Sequence, residues 1–346
     1  MRAVFHIPII AAAALLATVL CLEALFRCLP VSTATLTGYY FDADLLTYPA
    51  RHEWAVATGW DMRNAQHLRS NAQGFAADID FVADPQALAL IGDSYVEGSA
   101  LRQQDRPAAQ LARYLRGKRV VYGMGTPGTA LLDYAQRIRY ASQSLQTRDF
   151  VVWLEAGDAR QALCGTGHVV SRCLDARTLL PRTERLAPPD AIKRLARHSA
   201  LAQYVFSQLK FNPGRLLSDM RQALSPARAV VEGATPADTK AMQAMVDAVL
   251  AEFFRQVAPH ARGRLLFIVD GHRAAPPKQP TVLHLERQYL VGALRAAGAE
   301  VLDLETVFEA HRNQSKLSPE VGPYDHHLNP LGVRLVMQAV ATRLEP

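Results

Sequence analysis

Residues 88–94 read Leu-Ala-Leu-Ile-Gly-Asp-Ser, and this stretch decides the predicted fold. The apolar run 87–91 is typical of a short buried strand, and Gly92 and Asp93 break it. A strand that ends in such a turn delivers the next side chain to the carboxyl edge of a sheet, where open α/β folds hold their ligands. Ser94 is therefore a candidate nucleophile, although Gly-Asp-Ser is also ordinary turn and helix-capping chemistry.

On both sides of this stretch, apolar runs of strand length alternate with helical patterns. The predicted strands are 88–91, 119–122, 150–154, 264–269 and 300–304, and helical stretches include 108–115, 131–144 and 283–297. Such alternation predicts an α/β fold with a central parallel sheet covered by helices on both faces. The interval between Asp158 and Gly263 is too long for an ordinary connection, so we expect a helical insertion that either covers the active site or buttresses the sheet.

The second informative segment is 324–332, which reads Tyr-Asp-His-His-Leu-Asn-Pro-Leu-Gly. Asn329 and Pro330 suit the cap and first turn of the helix that follows. A serine hydroxyl becomes nucleophilic when a histidine takes its proton and a carboxylate orients that histidine. Asp325 and a neighbouring histidine can supply both roles. The same residues also fit a capped surface turn, or metal ligands, but no third ligand cluster accompanies them.

Taken together, these segments resemble the SGNH (GDSL) hydrolase superfamily, over most of the chain from about residue 71 onward. The matching pieces are Gly92-Asp93-Ser94, the glycine block 125–128 and Asp325-x-His327-x-Asn329. The resemblance implies a flavodoxin-like three-layer sandwich in which Ser94 is the nucleophile, His327 the general base and then acid, and Asp325 its orienter. His327 is preferred to His326 because the family places the base in His-x-Asn.

The resemblance also implies an oxyanion hole built from the N–H groups of Ser94 and Gly128, with Gly157 as a further candidate. The third block departs from the family pattern, because Glu155-Ala-Gly-Asp stands where Gly-x-Asn-Asp is expected. Losing one oxyanion donor costs about two to three orders of magnitude in turnover. Either another group substitutes, or the activity is weak. The Asp-x-His spacing resembles the alginate acetylation branch, which hints at polysaccharide acylation.

A rival reading comes from Gly123-x-Gly125-x-x-Gly128, which is a literal dinucleotide-binding fingerprint, with Glu155 as the candidate ribose partner. Pro127 among the glycines and the lack of a second dehydrogenase feature disfavour it. We expect no cofactor and no metal.

The N-terminal run 4–25 is almost wholly apolar and long enough to cross a bilayer. We predict a membrane anchor (1–29), an extension (30–87) and a hydrolase-like domain (88–346) with a helical insertion (158–262). A cleaved signal or a buried helix are the alternatives. The predicted location is the inner membrane, single-pass, with the catalytic domain in the periplasm or otherwise outside the cytoplasm.

Cysteine usage and charge add little to this picture. Cys164 and Cys173 bracket a glycine-containing loop and fit either a disulfide or two buried thiols. The formal charge of +6 is modest and scattered over 346 residues, and nothing resembles a nucleic-acid module. Five arginines suit an acidic glycan, an anionic membrane surface or simply solvated helix faces: Arg177, Arg182, Arg185, Arg194 and Arg197.

The sequence thus predicts an exported serine esterase or O-acetyltransferase, with acetyl as the expected acyl group and a cell-envelope glycan ester as the expected substrate. A transferase would also need a membrane acyltransferase partner to bring acyl groups across. The alternative is a catalytically weak glycan-binding or scaffold protein.

Overall fold

The computed structural model describes residues 2–33, 44–165, 172–184, 190–209, 211, 236–274, 281–323 and 325–345. They belong to two compact units. The first comprises Met1–Thr37, Trp54–Leu68 and Pro188–Arg228, and the second Gly38–Glu53, Arg69–Ala187 and Ala229–Pro346. The domain boundaries predicted from the sequence remain predictions.

The strands are β1 (Glu53–Thr58), β2 (Arg63–Arg69), β3 (Leu88–Gly92), β4 (Val121–Gly125), β5 (Asp149–Leu154), β6 (Arg172–Leu174), β7 (Pro181–Thr183), β8 (Leu265–Val269) and β9 (Glu300–Asp303). The α-helices are α1 (Arg2–Arg27), α2 (Ser94–Glu97), α3 (Pro107–Tyr114), α4 (Leu131–Ser144), α5 (Asp158–Gln161), α6 (Ala191–Arg197), α7 (Ala200–Ala202), α8 (Pro236–Val257), α9 (Val282–Ala296), α10 (Leu304–Gln314) and α11 (Pro330–Leu344).

The second unit is built on a five-stranded sheet in the order β4-β3-β5-β8-β9, and every pair in it is parallel. Counted along the sheet's own strands, this is the 2-1-3-4-5 order of flavodoxin-like folds. Helices α4, α8 and α9 pack on one face, and α2, α3, α10 and α11 pack on the other. The predicted flavodoxin-like three-layer α/β sandwich is confirmed.

Strand β3 is an inner strand of this sheet, between β4 and β5. All five of its residues are buried, and its side chains alternate between the two faces of the sheet. Full burial of a short apolar strand is what a parallel sheet covered on both faces requires. The strand ends at Gly92, directly before Asp93 and Ser94.

The strand predicted at 119–122 extends further than expected. Gly123 and Gly125 had suggested a turn, but both lie within β4, and Gly125 is level with Gly92 of β3. A Cβ on Gly123 would lie 3.0 Å from the Ala108 Cβ of α3. These glycines therefore allow close packing of the strand, because a side chain at either position would collide with its neighbours.

The first unit contains α1, most of the β1–β2 pair, α6, α7 and a π-helical turn at Gln203–Gln208. Helix α1 is long and apolar enough over Ile7–Arg27 to cross a membrane, by length and composition. The Glu23 carboxylate accepts hydrogen bonds from the N–H groups of Ala200 and Leu201. This satisfies backbone donors at the start of α7. The membrane anchor (1–29) and the helical insertion (158–262) remain predictions.

Cys164 and Cys173 form a disulfide with a Cα–Cα distance of 5.1 Å. Of the two alternatives left by the sequence, a disulfide or two buried thiols, the structure has the disulfide. Residues 166–171 of its loop lie outside the described part of the chain, as does Arg185 of the predicted basic group. The remaining arginines of that group are divided between the two units.

Candidate active site

The turn after β3 positions Ser94 as the first residue of α2. The Asp93 side chain caps that helix by accepting the Tyr95 N–H at 2.9 Å. A Cβ on Gly92 would lie 2.6 Å from Val96 Cγ2 and 3.1 Å from the Trp153 carbonyl oxygen. Only glycine lets the strand turn this tightly into the helix, and the turn holds Ser94 at the carboxyl edge of the sheet.

The structure brings Ser94, His327 and Asp325 into one hydrogen-bonded chain. His327 Nε2 lies 2.8 Å from Ser94 Oγ, and His327 Nδ1 lies 2.5 Å from Asp325 Oδ1. The same Asp325 oxygen accepts the His327 backbone N–H at 2.9 Å. A base within reach of a hydroxyl, with its second nitrogen on a carboxylate, is the arrangement that activates a serine.

The two neighbouring histidines have different surroundings. The His326 side chain is 83% exposed and faces Glu320 at 3.5 Å. His327 packs against the Tyr95 ring, with a centroid distance of 5.0 Å. The structure therefore places His327, and not His326, against Ser94.

Asn329 holds the loop that carries His327. Its Oδ1 accepts the N–H groups of Leu331 and Gly332, which caps α11. Its Nδ2 donates to the carbonyl oxygens of Ser318 and Glu320. The cap proposed from the sequence thus also fastens the loop that carries His327 to the preceding segment.

The candidate oxyanion donors lie at the same edge of the sheet. Ser94 starts α2, and Gly128 lies in the turn between β4 and α4 with a φ of +70°. Within the described residues, neither backbone N–H has a hydrogen-bond partner. Gly157 lies in the turn after β5, immediately before α5. Unpartnered N–H groups beside a nucleophile are suited to binding an oxyanion.

The third block forms an acidic cluster next to this site. Carboxyl oxygens of Asp93, Glu155 and Asp158 lie within 4.8 Å of one another. Asp158 Oδ2 accepts the Glu155 N–H at 3.0 Å and the Tyr134 hydroxyl at 3.1 Å. Asp93 and Asp158 are buried, whereas Glu155 is half-buried. Glu155 is therefore the member of the cluster with an open face.

Burial makes these acids hard to ionise. It raises the pKa of Glu155 to about 8, and the neighbouring Asp93 and Asp270 carboxyl groups act in the same direction. Burial raises the pKa of Asp93 to about 6, although the Tyr95 N–H and His327 oppose the shift. Burial also raises the pKa of Asp158 well above its ordinary value, with Asp93 and Glu155 adding to it.

Carboxylate oxygens are the ligands that hard cations such as Mg²⁺ prefer. A cluster of acids is not by itself a metal site, however, and two of these three already accept backbone N–H groups. We assign no metal to it.

Burial disfavours the charged form of His327, but the Asp325 hydrogen bond and charge raise its pKa overall, with the Asp93 charge contributing. An imidazolium formed during proton transfer from Ser94 is thereby stabilised. Arg273 lies over the Tyr95 ring, 5.0 Å from its centroid, and pairs with Asp270 at 2.7 Å. Arg273 thus packs on the Tyr95 ring, which in turn packs against His327.

Sequence reasoning missed Arg137, Tyr95, Arg273 and the acidic cluster. Arg137 reads as an ordinary charged position of a helix, and only the packing of α4 buries it completely. For the cluster, the parallel register offered a signal. Ile91 pairs with Val152, so β3 and β5 end at the same edge of the sheet, where Ser94 and Glu155 follow them.

No family model matches this chain. No curated protein matches it either. Among solved structures, it is similar to an α/β hydrolase enzyme from the metagenome of Lake Arreo, Spain, with a TM-score of 0.41 and 13% identity over 77% of this chain and 99% of that one.

A member of the lipolytic G-D-S-L family from Veillonella parvula gives a TM-score of 0.40 and 12% identity, over 75% of this chain and 97% of that one. A carbohydrate acetylesterase from Sinorhizobium meliloti gives a TM-score of 0.35 and 13% identity, over 75% and 98%. At these identities a neighbour's function does not transfer, so the chemistry of this chain rests on its own side chains.

The dinucleotide fingerprint finds no support in the position of its glycines. Gly123 and Gly125 lie inside β4, whereas the fingerprint needs them in the turn between strand and helix.

Proposed function

We propose that this chain is a membrane-anchored, exported serine esterase or O-acetyltransferase of the SGNH type. The observation that carries the proposal is the contact of 2.8 Å between Ser94 Oγ and His327 Nε2, continued by the contact between His327 and Asp325. Serine, base and orienting acid are all side chains of one compact unit.

In the proposed reaction, Ser94 Oγ attacks the carbonyl carbon of an ester while His327 Nε2 takes the hydroxyl proton. The N–H groups of Ser94 and Gly128 hold the oxyanion. When the intermediate collapses, His327 returns the proton to the departing alcohol. Water or a sugar hydroxyl then attacks the acyl-serine while His327 takes its proton. The bond between the acyl carbon and Ser94 Oγ breaks, and His327 returns the proton to Ser94 Oγ.

The acyl group and the acceptor are proposed from location. A helix of the length and apolarity of α1 would tether the chain at a membrane surface. Outside the cytoplasm, glycans are abundant carriers of acetyl esters. We therefore propose an acetyl ester of an envelope glycan as the substrate, with a membrane acyltransferase as partner if the acceptor is a sugar.

The test uses the full chain in detergent, a fluorophosphonate probe and 4-nitrophenyl acetate. Wild-type protein is expected to be labelled and to cleave the ester, and Ser94→Ala and His327→Ala are expected to lose both. His326→Ala is the matched control, because that ring is exposed beside the proposed base. It is expected to keep full labelling. A folded wild-type protein that is not labelled would instead favour the glycan-binding or scaffold alternative.

A further inference from the structure

Glu155 directly follows β5, and the proposed reaction gives it no role. The parallel register pairs Ile91 with Val152, so β3 and β5 end at the same edge of the sheet, and Glu155 directly follows β5 at that edge. A carboxyl oxygen of Glu155 lies within 4.8 Å of one of Asp93, the residue directly before Ser94. The Glu155 carboxyl group is therefore near the turn that carries the candidate nucleophile.

The groups around Glu155 leave an excess of acids over cations. Those facing it from the neighbouring elements are Asp93 after β3, Asp158 in α5, Asp270 after β8, His327 in the C-terminal loop, Arg273 after β8, and the Tyr95 and Tyr134 hydroxyls. Arg273 is already paired with Asp270. Like charges in a buried cluster cannot all ionise, so some of these acids keep their protons.

Glu155 is the acid of this cluster that is best placed to reach a substrate. Asp158 is fully buried and its Oδ2 is occupied by two donors, and Asp93 caps α2. The Glu155 side chain is half-buried, and its carboxyl group makes no hydrogen bond to another described residue. A neutral carboxyl has one O–H to donate.

We propose that Glu155 is a catalytic residue whose carboxyl O–H donates to the carbonyl oxygen of the ester that Ser94 attacks. This inference rests on the proposed esterase function and completes the oxyanion hole formed by the Ser94 and Gly128 N–H groups. An acid kept neutral by its surroundings can serve as such a donor. A pKa near 8 supports this assignment, because the group is protonated at neutral pH.

The step balances without a further reactant. The bond between Ser94 Oγ and the carbonyl carbon forms, the carbonyl π pair moves to oxygen, and the Ser94 proton moves to His327. That oxygen accepts the O–H of Glu155, which keeps its proton. On collapse, the bond to the leaving alcohol breaks and the alcohol takes the proton from His327.

Glutamine is the diagnostic substitution, because its amide donates a hydrogen bond at every pH. We would measure kcat/KM for 4-nitrophenyl acetate from about pH 5.5 to about pH 10, using the full chain. Wild-type activity is expected to decline above about pH 8, as Glu155 loses its proton. Glu155→Gln is expected to keep at least about a tenth of the neutral-pH activity and to lose that decline. Glu155→Ala is expected to lose about 10²- to 10³-fold.

Glu97→Gln is the matched control. Glu97 is another buried acid, with its pKa raised to about 7 by burial, but its carboxyl accepts the Tyr48 hydroxyl. It is expected to keep the alkaline decline. An alkaline decline that persists in Glu155→Gln, or that disappears in Glu97→Gln, would overturn the inference while leaving the esterase function in place.

Two further readouts distinguish other failures. An infrared difference spectrum of wild type minus Glu155→Gln is expected to contain the carbonyl band of one neutral carboxyl, and this band is expected to be lost above about pH 8. Lack of this band overturns the inference even if Glu155→Ala does not fold. Activity abolished by EDTA and restored by Mg²⁺ would mean that the acids hold a cation, which also overturns it. Wild-type protein without Ser94-dependent cleavage refutes the esterase function itself.

Discussion

Arg137 Nη1 of α4 donates to the carbonyl oxygen of Gly92 at 2.7 Å. Gly92 is the last residue of β3, two positions before Ser94. The same nitrogen reaches the Met124 carbonyl oxygen at 3.2 Å and Thr129 Oγ1 at 3.1 Å. Arg137 therefore ties together the ends of β3 and β4 and the turn before α4, where the nucleophile and Gly128 are found. Because it is completely buried, its contacts are shielded from water.

Replacing Arg137 by methionine is expected to destabilise the fold. Several carbonyl oxygens would lose their donor, and each buried acceptor left unsatisfied costs about 1 to 3 kcal/mol. We expect a loss of about 2 to 4 kcal/mol in the free energy of unfolding and a fall in Ser94 labelling. Urea unfolding checks the first and probe labelling the second. Arg139→Met, two residues on and half-buried, is the control and should change stability little. Equal effects of both substitutions would refute the tying role of Arg137.

Replacing Asp325 by asparagine should impair turnover while leaving the fold intact. The amide cannot hold His327 in the correct tautomer or stabilise its charged form. We expect kcat to fall by about 10³- to 10⁴-fold. Steady-state kinetics with 4-nitrophenyl acetate and a circular dichroism spectrum check this. A variant with more than about a tenth of wild-type kcat would rule out Asp325 as the orienting acid.

The loss of activity on the acid side of the pH profile should follow the protonation of His327. The base must be neutral to accept the Ser94 proton, so activity is lost as pH falls through its pKa. That pKa is raised, since the hydrogen bond and charge of Asp325, together with the charge of Asp93, outweigh burial, so the loss begins above the ordinary histidine range. Asp93→Asn is expected to move this limb to lower pH. A profile of kcat/KM against pH tests it, and an unchanged limb would mean that another group titrates.

Gly92→Ala should disturb the nucleophile turn. The new Cβ would lie 2.6 Å from Val96 Cγ2, so α2 must shift and carry Ser94 with it. Overpacking of this kind costs about 1 to 3 kcal/mol, and we expect labelling to slow by at least about tenfold. The control is Gly292→Ala in α9, where a Cβ meets nothing within 4 Å. That change should stabilise by about 0.5 to 1 kcal/mol. Similar behaviour of both variants would refute the packing argument.

Removing the Cys164–Cys173 bridge should lower stability without abolishing catalysis. Its two cysteines are 9 positions apart, and closing so short a loop contributes about 2 to 3 kcal/mol in the chain-entropy model. The double variant Cys164→Ala with Cys173→Ala is expected to unfold at lower denaturant and to retain Ser94 labelling. Cys21→Ser, a change at a free cysteine, serves as the control. Unchanged stability of the double variant would argue that the bridge does not form.

Local sequence was enough to predict the layered fold and the candidate triad. The strands of the central sheet are short apolar runs ended by turn residues. Such runs are typical of parallel strands that are buried on both faces. Ser94 follows one of these strands. Asp325 and His327 are two positions apart in one loop, so their contact is local. The end of β4 was misplaced because glycines that allow close packing look like turn glycines in a sequence.

The remaining features of the site depend on contacts between segments that are far apart in the sequence. Residues 94 and 327 are far apart in sequence, and the sheet order together with the Asn329 cap brings them within hydrogen-bond reach. Whether a charged side chain is solvated or buried is decided by its neighbours in three dimensions. The sequence therefore did not mark Arg137 as a buried cation or Glu155 as a member of an acidic cluster. The amino-acid sequence alone determined which residues could react, since turn and strand preferences are local. Tertiary structure decided which of them are held together and which acids keep their protons, because distance and desolvation exist only in the folded chain.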